Sequence, residues 1–514
     1  MKTAFAQLDN LALLRAWFVF KLCSWDWLVQ HSQQLLGLSG KVLGSRLTLG
    51  IVRRTFFAHF CAGETADEVE VKMRQLRSMG VGSILDYAAE ADVAEVQKEV
   101  PEAVLRDVAR IGVVSARTYD YLGEAKCDAN VQTFLDCIDA AARQADGFTA
   151  IKLTALGKPE FLERVSKILN GIRATFHEFA SGGAETISFE QFRVGITERL
   201  GLSLEEEDLR SIFEHFDRDS NGTIDYLEWT SVLDLNNLHH SKLFFADPHS
   251  HNKDSLHLLT KSGKIPLIDE DEAKLIHSLT DRLQTIAKAA AEKKVKLLID
   301  AEQSYLQPAI DHFTCNLQRL YNREQPIVFN TYQAYLINAR SHMAADLLRS
   351  QREGFWFAGK LVRGAYMVLE RHLAKENNYL SPILPDKQAT DASYNNLADL
   401  ILRNHARATV MIATHNQHSI YLATELMRTY NIEPAGPVYF AQLLGMSDIL
   451  SFNLGAKGYH VYKYVPYGPV NEVIPYLLRR AQENSDMLSF AQVERELCWK
   501  ELCQRKFFFR PSQQ

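Results

Sequence analysis

Two stretches of this chain carry residue types at spacings that could do chemistry. In "YGPVNEVIPYLLRRAQEN", read as a helix, Tyr476, Arg479 and Arg480 fall at i, i+3 and i+4, so one face presents a phenol beside two guanidinium groups. Such a pair on an otherwise apolar helix is costly to bury without an anion, and a planar carboxylate suits two guanidinium forks. The plainer alternative is a pair of arginines turned to solvent on an outer helix. In "DRDSNGTIDYLE", Asp217, Asp219 and Asn221 are followed by Gly222, by Thr223 acting through its carbonyl, by Asp225 and by Glu228. That spacing wraps hard oxygen donors around one calcium ion, with glycine at the sharp turn and a bidentate glutamate closing the shell. Upstream, "FHEFASGGAETISFEQF" reads as the partner loop of an EF-hand pair, but with Ile187 at its centre the ligand positions fall on Ala180, Ala184 and Gln191. That copy lacks carboxylates and is expected to be structural. The alternative for the complete loop is a folded spacer that takes no calcium.

The elements that must position these residues read as strands alternating with helices. Eight apolar runs, "GSILDYAAE", "FTAIKLTAL", "KLLIDAEQ", "PIVFNTYQ", "GKLVRGAY", "ATVMIATHN", "PVYFAQLLGM" and "YHVYKYVPYG", each end in polar or aromatic residues: Asp86, Lys152, Asp300, Asn330, Arg363, His415, Gln442 and Tyr464. Continuous apolar strands separated by helices imply parallel pairing buried on both faces. Eight such units predict an α/β fold of the (βα)8, TIM-like kind, in which the strand ends converge on one mouth. Taken singly, each of these residues is an ordinary strand-end loop residue. The spacing also predicts a helical N-terminal region over 1–80, the first part of the barrel over 81–160, an all-α EF-hand-like insertion over 161–240, the rest of the barrel over 241–500 and a tail over 501–514. In the first of these, "ADEVEVKMRQLRSMG" places Val69, Val71, Met73 and Leu76 on a helix stopped by Gly80.

Composition narrows the class. With 46% hydrophobic and 23% charged residues and a net charge of −6, the chain is that of a soluble globular protein without a basic field for nucleic acid. The seven cysteines contain no C-x-x-C pair, which argues against a disulfide scaffold or a zinc site and for a reducing compartment. "LALLRAWFVFKLCSW" is interrupted by Arg15 and Lys21 and is too short to span a bilayer. An amphipathic helix packed on the body is expected, and contact with a membrane surface is the alternative. The start shows neither a secretory signal nor the Arg- and Ser-rich composition of a transit peptide. No G-x-G-x-x-G follows a strand and no phosphate-binding G-x-x-x-x-G-K-[ST] occurs, so nothing points to nicotinamide or ATP.

Read together and in order, "AIKLTAL", "LLIDAEQ", "FNTYQ", "KLVRGAY", "ATHN", "FAQLLGM" and "YKYVPYGPVNEVIPYLLRRAQEN" resemble the proline dehydrogenase family, in its eukaryotic mitochondrial branch, along most of residues 80–500. The insertion is also similar to that branch. The resemblance implies a distorted (βα)8 barrel that holds FAD non-covalently and oxidises L-proline to Δ1-pyrroline-5-carboxylate by hydride transfer. It further implies a ubiquinone-type acceptor and a peripheral place on the matrix side of the mitochondrial inner membrane.

By motif position, Arg479, Arg480 and Lys152 would hold the substrate carboxylate, and Asp300 would anchor that cationic cluster near the amine. Tyr464, Tyr476 and Leu443 would wall the ring. Ala301, Asn330, Val362, Arg363, Gly364, Thr414 and His415 would meet the flavin, with Lys387 near its phosphates. Bacterial relatives generally carry Arg at Lys360 and Gln at Asn330, so Lys360 joins Asp300 and Tyr464 as a catalytic candidate while the donor facing flavin N5 stays open. Relatives acting on 4-hydroxyproline tend to carry serine where Tyr464 stands, which favours proline here. A calcium-binding regulatory protein with an inactive barrel is the alternative from another class.

Overall fold

The computed structural model describes residues 8–87, 123–144, 146–180, 183–233, 268–486 and 488–505. Parts of the expected first barrel segment (88–122), of the insertion and the segment following it (234–267) and of the tail (506–514) lie outside the described residues. Contacts divide the chain into two compact units, one formed by residues 1–156, 284–303 and 314–514, the other by 157–283 and 304–313.

The first unit is built on a closed barrel. The chain's strands are β1 (Gly82–Tyr87), β2 (Phe148–Ile151), β3 (Thr186–Ser188), β4 (Thr223–Asp225), β5 (Lys296–Ile299), β6 (Val328–Gln333), β7 (Phe357–Val362), β8 (Ala408–Ala413), β9 (Val438–Leu443) and β10 (His460–Tyr467). All but β3 and β4 pair in parallel in the cyclic order β1-β10-β9-β8-β7-β6-β5-β2. The eight expected runs are these eight strands. Because the ring closes, no strand edge is left to pair with a foreign chain.

Side chains alternate along each strand, and the inward set packs the barrel: Ile84, Phe148, Ala150, Leu298, Phe329, Ala358, Met411, Tyr439, Ala441 and Tyr462. Phe148 and Tyr462 meet edge to face at 4.8 Å. Lys296 Nζ lies 5.3 Å from the Phe148 ring centre and pairs with Asp146 at 2.9 Å, so the first inward residue of β5 can be charged at little cost.

The N-terminal helices Asn10–Cys23, Asp26–Gln30, Ser32–Val42, Ser45–Val52 and Ala66–Ser78 precede β1. The first packs on the body through Leu13, Ala16, Val19, Phe20 and Cys23, as expected for an amphipathic helix. In the last, Val69, Met73 and Leu76 are buried, but Val71 is 61% exposed. It sits two residues from Val69 and so falls on the opposite side of a 3.6-residue turn. Val19, Cys23, Val29, Val52, Phe57 and Phe60 share one apolar cluster with Tyr476 and Leu477 of the helix Ile474–Asp486, and Leu443 packs against it.

The second unit holds two helix–loop–helix segments. β3 and β4 pair antiparallel with Ile187 opposite Ile224. Trp229 is fully buried against Phe179 and Phe216, and its indole N–H donates to Ile172 O at 2.9 Å. Adding a Cβ to Gly195 would run into the Phe179 ring, so glycine lets the neighbouring helix approach.

Candidate active site at the barrel mouth

The alternation that packs the barrel also aims its mouth. Ala150, Leu298, Ala358 and Tyr462 point inward, so two residues on, Lys152 and Asp300, just past β2 and β5, and Lys360 and Tyr464, in the C-terminal halves of β7 and β10, point inward as well. They meet on one carboxylate. Asp300 Oδ2 accepts from Lys152 Nζ at 2.6 Å and from Tyr464 OH at 3.0 Å, while Oδ1 accepts from Lys360 Nζ. Burial alone would push Asp300 upward, but Lys152 and Lys360 together outweigh it and hold the carboxyl well below its ordinary range. Burial would likewise depress Lys152, yet Asp300 and Asp86 raise it well above the usual lysine value. Asp300 and Lys152 are thus both charged throughout the physiological range, and the one carboxylate is shared by two lysines.

Tyr476, Arg479 and Arg480 are carried by Ile474–Asp486 and are all buried, the two arginines at 8% exposure each. The solvent-facing alternative is therefore excluded. Arg480 Nη2 pairs with Glu483 at 2.7 Å, and its guanidinium lies 4.8 Å from the Tyr476 ring centre. Arg480 Nε and Tyr476 OH are buried without a hydrogen-bond partner among the described residues. Buried donors of this kind fit an anionic, carboxylate-bearing guest. Leu443 ends β9 and packs on the same cluster as Tyr476.

Next to this group stand the residues expected to meet a flavin. Arg363 donates to Asp391 at 2.8 Å, to Thr414 Oγ1 at 2.5 Å and to Ser419 Oγ at 2.9 Å, and stacks 4.4 Å from the Tyr394 ring centre. Asn330 is buried on β6, its Oδ1 accepting the Thr331 N–H at 2.9 Å. His415 Nδ1 meets Ser447 Oγ at 3.0 Å, and burial, with Lys463 and Arg480 nearby, lowers its pKa to about 3, so the ring is neutral. Ala301 directly follows Asp300, and Val362 O accepts from Ala334 N at 2.8 Å. Gly364 has φ of 135°, and a Cβ there would strike the Tyr335 ring. The fixed Arg363 guanidinium, the buried Asn330 amide and the neutral His415 imidazole, carried by the adjoining strands β6, β7 and β8 and the turns after them, fit the polar edge of a flavin. Lys387 is different: it is 80% exposed on its own helix and pairs with Asp391 at 2.6 Å.

Three residues near the mouth were not singled out from sequence. Glu302 is fully buried and accepts from Thr154 N at 3.2 Å and Thr154 Oγ1 at 2.8 Å, which ties the turn after Lys152 to the end of β5. Burial, only partly offset by Lys152 and Thr154, raises its pKa to about 7. Tyr366 is buried beside Lys152, Asp300 and Arg479, which all act on its phenol. Asp391 holds Arg363 from a helix, so no strand-end reading reaches it. Glu302 lies two residues beyond Asp300 in "IDAEQ", and the same alternation could have marked it.

In the second unit, carboxylate oxygens of Asp217, Asp219 and Glu228 lie within 4.8 Å of one another. Asp217 accepts from Asn221 N and Gly222 N, Asn221 Oδ1 from Thr223 N, and Glu228 from Arg218 N, Asp219 N and Asp225 N. In the upstream loop Gln191 stands where Glu228 does. Its amide donates to Ala180 O at 3.0 Å while its oxygen accepts from Ser188 N at 2.9 Å.

A parallel (βα)8 barrel whose buried mouth gathers lysines, arginines and a tyrosine around one aspartate defines a barrel enzyme built for a small anionic substrate. The proline dehydrogenase family profile matches residues 69–493, and the chain belongs to that family of oxidoreductases. It is 40% identical to "Proline dehydrogenase 1, mitochondrial" of Homo sapiens, over 97% of this chain and 88% of the relative, and 37% identical to the protein of that name in Caenorhabditis elegans, over 98% and 87%. Against "Hydroxyproline dehydrogenase" of Xenopus laevis the identity is 30%, over 96% and 87%. Among solved structures, proline utilization A from Bdellovibrio bacteriovorus, inactivated by N-propargylglycine, matches with a TM-score of 0.55 and 17% identity. That match covers 96% of this chain and 40% of the larger protein, and it speaks for the barrel fold.

Proposed function

We propose that this chain is a mitochondrial, FAD-dependent proline dehydrogenase in which Arg479, Arg480 and Lys152 clamp the carboxylate of L-proline. The observation that carries the reading is the buried pair Arg479 and Arg480 with Tyr476, where Arg480 Nε and Tyr476 OH have no partner among the described residues, beside an aspartate already shared by two lysines. Asp300 orients Lys152, Lys360 and Tyr464, so the cationic clamp is fixed before substrate arrives. The surplus positive charge disfavours a protonated amine near it, which is the form that cannot give up hydride. Tyr464, Tyr476 and Leu443 would close the ring pocket against water, and Lys360, on Asp300 beside Tyr464, is the further catalytic donor.

Asn330, Arg363, Thr414 and His415, with Ala301, Val362 and Gly364 along the strand ends, would hold the flavin non-covalently. When bound, that group supplies the hydride acceptor, and the protein contributes orientation and electrostatics. Lys387, exposed as it is, would reach a phosphate only by leaving Asp391. Reduced cofactor would pass electrons to a ubiquinone-type acceptor, with the enzyme peripheral on the matrix side of the inner membrane. Hydroxyproline is the second reading, favoured by relatives of that name; Tyr464, bonded to Asp300 where relatives acting on 4-hydroxyproline tend to carry serine, favours proline.

The loop Asp217–Glu228 is read as an EF-hand-like calcium site within an inserted all-α domain, ligated by Asp217, Asp219, Asn221, Thr223, Asp225 and Glu228. Gln191, which already bridges the upstream loop by hydrogen bonds, supports a structural role for that copy.

The purified protein should show flavin absorbance that bleaches on anaerobic addition of proline. Arg479→Met and Arg480→Met should each raise KM for proline by about a hundredfold, in keeping with the loss of a buried charge-assisted bond. A spectrum without flavin bands would end the enzyme reading, and an unchanged KM in both variants would end the clamp.

A further inference from the structure

The N-terminal helices turn one face to the barrel and leave another bare. Ser32–Val42 and Ser45–Val52 form a helical hairpin joined through Gly44, with Ser39 Oγ and Thr48 Oγ1 2.9 Å apart between them. Its inner edge, Leu36, Leu49 and Val52, packs into the apolar cluster that holds Tyr476. Its outer edge presents Leu38 and Val42 from one helix and Leu47 and Ile51 from the other, each pair one turn apart. These are well exposed, Val42 at 72% and Leu47 at 64%, and Trp27 just before the hairpin is exposed at 63%. A Cβ at Gly37, Gly40, Gly44 or Gly50 would meet open space, so no other described part of the chain covers this surface.

Charge distinguishes the occupant. From residue 27 to residue 63 there is no Asp or Glu, although the chain as a whole carries a net charge of −6. The same span holds Lys41, Arg46, Arg53 and Arg54, all exposed. Arg53 pairs with Glu64 and Glu68, leaving Lys41, Arg46 and Arg54 without an ion pair among the described residues. Exposed aliphatic residues and tryptophan flanked by unpaired Lys and Arg, with no carboxylate, are the composition of a helix that lies in a bilayer interface. No helix among the described residues is long and apolar enough to cross a membrane, which leaves seating in the surface as the mode.

We propose that this hairpin, with Trp27, is the surface by which the enzyme docks on an anionic phospholipid bilayer. The inference rests on the peripheral-membrane reading above and deepens it by naming the face. It also sets the docked layer directly against the helix that carries the substrate arginines, on the side from which a membrane-dissolved acceptor would come.

The test is vesicle flotation of the full-length, flavin-loaded protein. It uses phosphatidylcholine alone or an equal mixture with phosphatidylglycerol, with dye-linked proline oxidation as the check on folding. Two variants are compared: Lys41→Glu/Arg46→Glu/Arg54→Glu, and Val42→Ser/Leu47→Ser/Ile51→Ser. Wild type should float on the mixed vesicles, and each variant should lose about tenfold or more in binding with dye-linked activity intact. If wild type floats and both variants float equally well, the face is wrong although membrane binding stands. If wild type floats on neither vesicle, the membrane reading itself fails, and this inference with it. A variant that turns a dimer into a monomer without changing flotation would make the hairpin an interface between copies of the chain and overturn the proposal.

Discussion

Asp300 is held by two lysines and a tyrosine, so changing any one of these residues leaves the others with unbalanced charge or an unmatched donor. Tyr464 is the most informative of them, because its hydroxyl bonds Asp300 and the proposed reading makes it the wall that a 4-hydroxyl would meet. Tyr464→Ser should move the ratio of kcat/KM for proline to that for hydroxyproline by about tenfold or more toward hydroxyproline, and steady-state kinetics with both substrates measures it. Glu302 gives a pH signature instead. Its folded pKa of about 7 lies above the ordinary carboxyl value of 4.5, so its stabilising share is fully present below the unfolded value and is lost as pH rises through about 7. The full loss is on the order of 3 kcal/mol. Glu302→Gln should therefore flatten the fall in melting temperature between pH 5 and pH 8, and thermal unfolding scans across that window would expose a wrong sign.

At the scale of elements, the strand ends were legible because an apolar run stopping at a polar residue survives any surroundings. The inward positions of Lys152, Asp300, Lys360 and Tyr464 follow from alternation alone. Arg479 and Arg480 were ambiguous, since helical spacing says which residues share a face but not whether that face is buried. Their burial decides it, on a helix whose Tyr476 and Leu477 pack with the N-terminal helices. Asp391 and Tyr366 could not be read at all, because what qualifies them is a neighbour from a distant part of the chain. Val71 lies on the expected helix, Ala66–Ser78, but two positions from buried Val69 it cannot share that residue's face. In the second unit the paired loops make a sharp comparison. Glu228→Gln should copy the chemistry of Gln191, keeping the loop's hydrogen bonds while removing the closing carboxylate. Calcium binding followed by titration calorimetry should fall by about a hundredfold or more while helicity is unchanged. A variant that binds calcium as wild type does would show that the ion is held elsewhere or not by this loop.

Across the whole molecule, the barrel draws its mouth from nearly the full length of the chain. Lys152 comes from β2 and Tyr464 from β10, and β1 closes the ring only by pairing with β10, Gly82 facing Tyr462. The order of synthesis therefore matters. A chain emerging from the ribosome has β1 waiting, one edge open, until the last strand arrives, and contacts so distant in sequence form late and slowly. Stopping the chain at Tyr459, just before β10, should abolish flavin retention altogether rather than weaken it, and should drive the product into aggregates that size-exclusion chromatography detects. Everything that makes the finished ring edgeless makes the unfinished one adhesive, so this enzyme's most vulnerable moment is the interval before its final strand is delivered.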